Sequence, residues 1–222
     1  MMKLQSVQRA RSIWLVNLVD LNPRGRNILS LIAPVIAKYK FMQFPAKPEE
    51  LDLSKGINFV GGSFQKDPQN DIAIDLTIFN DGFIADTRSS TEDSDAFLEE
   101  FFSWIAIEFC LVPYKEILRS RVYVSELWVE TDKSLNTLNP KLENFAKRLT
   151  SLIVGHKHHP ISFETYGISF WTNPTVTLPP GPFKFERAEG VPFNENRYYS
   201  TAPLQTDVHL EMLEELENIL SS

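Results

Sequence analysis

The chain has 222 residues, 43% of them hydrophobic and 12% aromatic, and this composition excludes wholesale disorder because burial of so much apolar surface can offset the ordering entropy. Its net charge of −7 excludes broad binding to a phosphate backbone, which requires clustered cations. Cys110 is the only cysteine, so the chain cannot form an intramolecular disulfide. No stretch reaches the roughly 20 apolar residues of a membrane span, and the polar start lacks a signal-peptide pattern. We therefore expect a cytoplasmic protein.

The first forty residues predict a strand followed by a helix. The stretch RSIWLVNLVDL (11–21) is rich in β-branched and aromatic residues, as strands are. Asn22 and Pro23 then suit the cap and the first position of a helix reaching Tyr39, which Pro34 is expected to kink or to split.

Three strands are expected next, over INFVGGSF, IAIDLTIF and FIADT. Asn80, Asp81 and Gly82 separate the last two and predict a hairpin, because Asn and Gly tolerate positive φ at low cost. The adjacent glycines of FVGGSF indicate a turn or a β-bulge.

Helices and strands alternate in the remaining chain. Ser90 and Asp93 fit the capping box of a long apolar helix, and the strand SRVYVSELWVET follows it. Asn139 and Pro140 start a third helix, whose apolar side chains are expected to face inward: Leu142, Phe145, Leu149, Leu152 and Ile153. Two further strands, ISFETYGISFW and FKFER, precede a C-terminal helix that Thr206 can cap.

This order of elements predicts an α+β fold, with a mostly antiparallel sheet packed by about four helices. We expect one domain over residues 1–222, with a subdivision into 1–112 and 113–222 as the alternative. The alternative comes from a strand–LNP–helix pattern at 13–39 and again at 122–153, which would give two similar βα-containing halves. Residues 172–205 contain six of the fourteen prolines and are expected to form an extended connector.

Three of the four histidines lie in GHKHHP: His156, His158 and His159. They follow the predicted third helix, where charged imidazoles interact favourably with the negative end of the helix dipole. Metal binding is the alternative, but no CxxC or HExxH pattern accompanies the cluster. We therefore expect no metal site, and these three residues are weak candidates for one.

A second group of candidates lies between a predicted strand end and a predicted helix start. Asp86 and Asp93 could hold a divalent cation there, because carboxylates are the ligands that Mg²⁺ prefers. The alternative is that hydroxyls and acids cap the helix and solvate its start. These two residues are also only weak metal candidates.

The C-terminal stretch from Phe185 onward is rich in aromatic residues and arginine, which are typical anchors of protein interfaces. The predicted interface residues are Arg187, Arg197, Tyr198 and Tyr199. Ser200 and His209 suggest a nucleophile and a base, but there is no GxSxG turn, so no catalytic residue is assigned.

Charge is unevenly distributed, with a net +6 over residues 1–40 and −10 over residues 41–111. The basic start could contact nucleic acid locally, although nucleic acid is not the expected partner of the chain. The weak candidates for such a contact are Lys3, Arg9, Arg11, Arg24 and Arg26.

These features favour a non-catalytic binding or assembly protein that acts through protein–protein contacts. We expect its partner to be a second copy of itself or another protein, with no cofactor and no membrane contact. The first alternative is a metal-dependent hydrolase that uses His156, His158 and His159 or the pair Asp86 and Asp93. The second alternative is nucleic-acid contact through the basic N-terminal segment.

Overall fold

Eight strands and six α-helices form the part of the chain that the computed structural model describes, residues 2–153, 162–176 and 179–221. The strands are β1 (Lys3–Leu15), β2 (Ile57–Asp67), β3 (Asn70–Ile78), β4 (Phe83–Thr87), β5 (Ser120–Glu130), β6 (Gly167–Phe170), β7 (Phe183–Arg187) and β8 (Arg197–Ala202). The helices are α1 (Leu18–Leu21), α2 (Ile32–Tyr39), α3 (Thr91–Glu108), α4 (Tyr114–Ile117), α5 (Pro140–Leu152) and α6 (Thr206–Ser221).

All eight strands belong to one sheet, in the order β2-β3-β4-β1-β5-β8-β7-β6. β1 pairs antiparallel with β4, β3 with both β2 and β4, and β7 with both β6 and β8. The predicted α+β class with an antiparallel sheet is therefore confirmed. The described residues form six α-helices instead of about four, although α1 and α4 are only four residues long. None of the helices in this part of the chain is long and apolar enough to cross a membrane.

The chain divides into two compact units that interleave along the sequence. The larger unit comprises Val7–Ser125 and Pro203–Thr206. The smaller unit comprises Met1–Ser6, Glu126–Ala202 and Asp207–Ser222. Strands β1 and β5 contribute residues to both units, and the predicted alternative boundary at 112/113 lies within the larger unit.

The core of the larger unit forms where α3 packs against the sheet. Along the end of β1, Ala10, Ser12 and Trp14 are buried while the residues between them are partly exposed, as the two-residue period of a strand requires. α3 contributes five fully buried apolar side chains: Phe97, Leu98, Phe101, Phe102 and Ile105. Trp14 stacks on Phe102 with ring centroids 5.5 Å apart. Each such side chain stabilises the fold by roughly 1.5–3 kcal/mol on burial.

A buried carboxylate organises the polar part of this core. Asp95 on α3 accepts hydrogen bonds from Trp14 Nε1 and from the Tyr123 hydroxyl, both at 2.8 Å. Burial and the hydrogen bond to Asp95 raise the pKa of Tyr123 to about 12, so the phenol stays protonated and donates. Asp95 therefore connects β1, α3 and β5 within the larger unit.

The start of α3 is anchored by two threonines as well as by its predicted cap. Ser90 Oγ accepts the Asp93 amide at 3.2 Å, which confirms Ser90 as the cap. Thr91 N donates to Thr206 Oγ1 at 3.0 Å, and Thr206 N donates to Thr91 Oγ1 at 2.8 Å. The Thr206 hydroxyl thus accepts the Thr91 amide, and the two hydrogen bonds join the start of α3 to the first residue of α6.

The predicted hairpin between β3 and β4 is confirmed, but its physical basis differs from the predicted one. Ile78 pairs with Phe83, and Phe79 N donates to Gly82 O at 2.8 Å. Gly82 does not have positive φ; instead, a Cβ at this position would lie 3.2 Å from the Trp14 carbonyl oxygen. Glycine is needed here for close approach to β1.

Of the two predicted Asn-Pro helix starts, one is confirmed and one is wrong. Asn139 caps α5, and its side chain accepts the Lys141 amide at 3.0 Å. Asn22 instead ends α1, because its own amide donates to Leu18 O, and α1 is capped by Asn17. The chain then turns through Gly25, whose φ is +61°, so no helix begins at Pro23.

The smaller unit is held together by a buried arginine and a buried carboxylate. Arg187 is 2% exposed and donates to Glu164 at 3.0 Å and to the carbonyl oxygens of Thr165 and Phe193. Glu217 on α6 accepts from the Thr131 hydroxyl and from Met2 N. Burial opposes ionisation of Glu217, but these hydrogen bonds outweigh it and hold its pKa below the usual range.

We predict that Asp95→Ala lowers the free energy of unfolding by about 2–4 kcal/mol, because the substitution leaves the buried Trp14 indole N–H without its acceptor. Urea unfolding followed by tryptophan fluorescence measures the change. Glu108→Ala is the matched control, since it removes a carboxylate from an exposed position of the same helix. Equal unfolding midpoints for the two variants would contradict the structural role of Asp95.

Candidate functional site

His156, His158 and His159 lie outside the described residues, so the structure leaves their predicted role open. Within the described ranges, no three His, Cys, Asp or Glu side chains lie close enough together to hold a metal ion.

Asp86 and Asp93 each form an ion pair with a basic side chain. Arg11 contacts Asp86 through two parallel hydrogen bonds, Nε to Oδ1 at 2.7 Å and Nη2 to Oδ2 at 2.8 Å. Lys66 Nζ donates to Asp93 Oδ1 at 2.6 Å. Burial of Asp93 opposes its ionisation, but the hydrogen bonds from Lys66 and nearby serines hold its pKa below the usual range. Both carboxylates therefore already have positively charged partners.

Ser200 and His209 lie together in the interior of the smaller unit. The Ser200 hydroxyl and His209 Nε2 are 2.8 Å apart, and neither residue is exposed. Ser200 Oγ also donates to the Lys184 carbonyl oxygen at 2.8 Å, and the His209 ring contacts Phe183 edge-on. Burial lowers the pKa of His209 to about 4, so the imidazole is neutral near pH 7. A pair in this environment joins β8 to α6 and is not accessible to a substrate.

The basic N-terminal candidates lie in different local settings. Arg9 and Arg11 line a depression of about 530 Å³ on the larger unit, together with Asp75, Asp86 and Arg88. Asp75 Oδ1 accepts the Gly61 amide at 2.7 Å. The other candidates, Lys3, Arg24 and Arg26, are exposed and are not among the residues lining this depression. The depression is a surface of mixed charge rather than a basic one.

The four predicted interface residues divide into two buried and two accessible ones. Arg187 and Tyr198 belong to the interior of the smaller unit, with Tyr198 stacked on Phe185 at 4.4 Å between ring centroids. Their burial assigns them a structural role. Arg197 is exposed beside Glu195, at 3.4 Å, and Tyr199 is partly exposed.

β7 and β8 both lie within the predicted connector 172–205, and β8 was not predicted.

The smaller unit exposes many large apolar side chains in the described residues 142–153 and 162–176, here termed the apolar segment. It contains nine of the eighteen large hydrophobic side chains exposed in the described residues: Leu142, Phe145, Leu152, Ile153, Phe163, Tyr166, Phe170, Trp171 and Val176. Phe145 and Trp171 are 61% and 71% exposed. Exposed apolar side chains are typical of protein contacts where they lie side by side, and Leu142, Phe145 and Leu152 do so along α5 because they are three and seven residues apart.

Part of this exposure is on helix α5, whose apolar side chains were predicted to be buried. Its spacing of apolar residues is helical, but the expectation that they face inward is wrong for Leu142, Phe145 and Leu152, which are 48%, 61% and 62% exposed, and for Ile153, whereas Leu149 is partly buried. Glu143, Ala146 and Thr150 are partly buried instead, on the other side of α5. Helical period alone identifies an apolar stripe but does not tell which surface covers it.

No protein-family model matches this sequence, and no curated protein is significantly similar to it.

The buried His209 predicts a pH dependence of stability. Its folded-state pKa of about 4 lies below the unfolded value of 6.5, so the unfolded chain binds more protons between these values. The free energy of unfolding should therefore fall as the pH falls from 6.5 to 4, by roughly 3 kcal/mol from this residue. Denaturant unfolding of the wild type and of His209→Gln across this range measures the difference. An identical pH slope for the two proteins would show that His209 is not buried in its neutral form.

Proposed function

We propose that this chain is a non-catalytic assembly protein of the cytoplasm that self-associates through the apolar segment of its smaller unit. The observation that carries the proposal is the exposure of nine large apolar side chains between residues 142 and 176. Each side chain that passes from water into a protein contact contributes up to roughly 1.5–3 kcal/mol, so covering even part of this segment stabilises an assembly.

A non-catalytic role is supported by the environments of the polar residues that suggested chemistry. Ser200 and His209 are both buried, and Asp86 and Asp93 pair with Arg11 and Lys66. A second copy is proposed as the partner because most oligomers of soluble proteins contain identical subunits related by symmetry. A cytoplasmic location agrees with the single cysteine, which does not support a framework of structural disulfides.

We predict that the wild-type protein has a mass in solution above the 25.5 kDa of one chain and that Phe145→Ser/Trp171→Ser shifts it toward 25.5 kDa. The substitutions remove two of the most exposed apolar side chains of the apolar segment, so the contact loses buried apolar area while the core is unaffected. Size-exclusion chromatography with light scattering over a range of concentrations measures the mass.

Val19→Ser/Ile107→Ser is the control, because Val19 and Ile107 are 74% and 77% exposed on the larger unit. A wild-type chain that stays monomeric at high concentration would contradict the proposal. So would stoichiometric zinc, manganese or iron in the purified protein that is lost in His158→Ala, since that result favours the metal-dependent hydrolase.

A further inference from the structure

We infer that the contact between copies forms when α5 of one molecule packs against the exposed side of α6 of a second molecule. This inference rests on the proposed self-association and names the surfaces that form it. Both helices belong to the smaller unit apart from Thr206, and their lengths of 13 and 16 residues correspond to about 20 and 24 Å.

The exposed side of α5 combines an apolar stripe with a basic flank. The stripe consists of the exposed Leu142, Phe145 and Leu152 together with the partly buried Leu149, and its spacing of three, four and three residues matches the seam of paired helices. Lys141 and Arg148 are exposed, and each immediately precedes a leucine of the stripe. Lys147 pairs with Glu143 at 2.6 Å on another side of the helix, so Lys141 and Arg148 give the flank its charge.

The exposed side of α6 has the complementary character. Met212 and Ile219 are seven residues apart and are 42% and 53% exposed, although Leu213, Leu216 and Leu220 of the same helix are buried. Glu211 and Glu215 lie beside them on the exposed side, with Asp207 and Glu214 farther around. α6 contains no lysine or arginine, so every charged side chain on its exposed side is acidic.

Charge complementarity selects a second copy as the occupant of α5. In an antiparallel pair, two α5 helices would place their basic flanks near each other and two α6 helices would place their acidic flanks near each other, and both arrangements are repulsive. An α5–α6 contact joins a basic flank to an acidic flank and an apolar stripe to Met212 and Ile219. Viewed from the N-terminus of each helix, the basic flank of α5 and the acidic flank of α6 lie on the same side of the apolar residues. The two flanks therefore meet when the helices pack antiparallel.

Paired charge reversals test this contact. Lys141→Glu/Arg148→Glu makes the α5 flank acidic, and Glu211→Lys/Glu215→Lys makes the α6 flank basic. Each variant alone should raise the dissociation constant for self-association by about tenfold or more, because like charges then face each other. An equimolar mixture of the two variants should recover an affinity within about threefold of the wild type, since each mutant flank meets an opposite charge on the other chain.

Analytical ultracentrifugation measures the dissociation constants, and urea unfolding midpoints verify that the substitutions leave the fold intact. The control is Arg24→Glu/Arg26→Glu, which changes the net charge by the same amount as the α5 variant at exposed positions of the larger unit. This control should self-associate as the wild type does.

Wild-type self-association that neither reversal weakens would overturn the α5–α6 contact while leaving the proposed assembly function standing. Single variants that lose affinity without recovery in the mixture would also overturn it, because the contact would then not join these two flanks. A wild-type chain that is monomeric at every concentration would overturn both the α5–α6 contact and the self-association. Binding of α5 to an acidic helical peptide of another sequence would not rescue them.

Discussion

An amphipathic helix is stabilised in water when another surface covers its apolar stripe. The stripe of α3 is covered within the chain, whereas most of the stripe of α5 is exposed. In α3 the side chains of Phe97, Phe101 and Ile105 are fully buried under the sheet of the larger unit, so the helix is stabilised within one chain. In α5 the corresponding stripe, including Phe145, faces outward. The proposed function depends on this difference, because we propose that a second molecule covers the exposed stripe of α5.

Local sequence signals predicted the fold wherever short-range chemistry decides the structure. The Ser90 cap and the Asn139 helix start depend on a few adjacent residues, and the structure contains both. The β3–β4 hairpin is also present, but its Gly82 is needed for close approach to β1 and not for a positive φ. Asn22 precedes a proline just as Asn139 does, yet it ends a helix, because the chain leaves β1 early and Asn17 caps α1 first. Strand β8 was missed because it lies in a proline-rich stretch, and its pairing with β7 is a tertiary contact that local composition does not show.

The candidate site was less predictable than the fold, because distance in the sequence says little about partners in space. Every buried polar side-chain atom among the described residues has a hydrogen-bond partner, and the sequence does not show these partners. Arg187 was predicted as an interface anchor because of its residue type, but it contacts Glu164 and is buried. The α5 stripe was visible in the sequence, whereas its exposure depends on which residues the rest of the smaller unit places against it.

Hydrogen–deuterium exchange at several protein concentrations tests most directly whether a second copy covers α5. Amide exchange along Pro140–Leu152 should slow as the concentration rises, while exchange in α3 stays constant because that helix is already covered within the chain. Exchange in α5 that is fast and independent of concentration, under conditions where α3 remains protected, would contradict the account, since it would show that the outward-facing stripe stays in water.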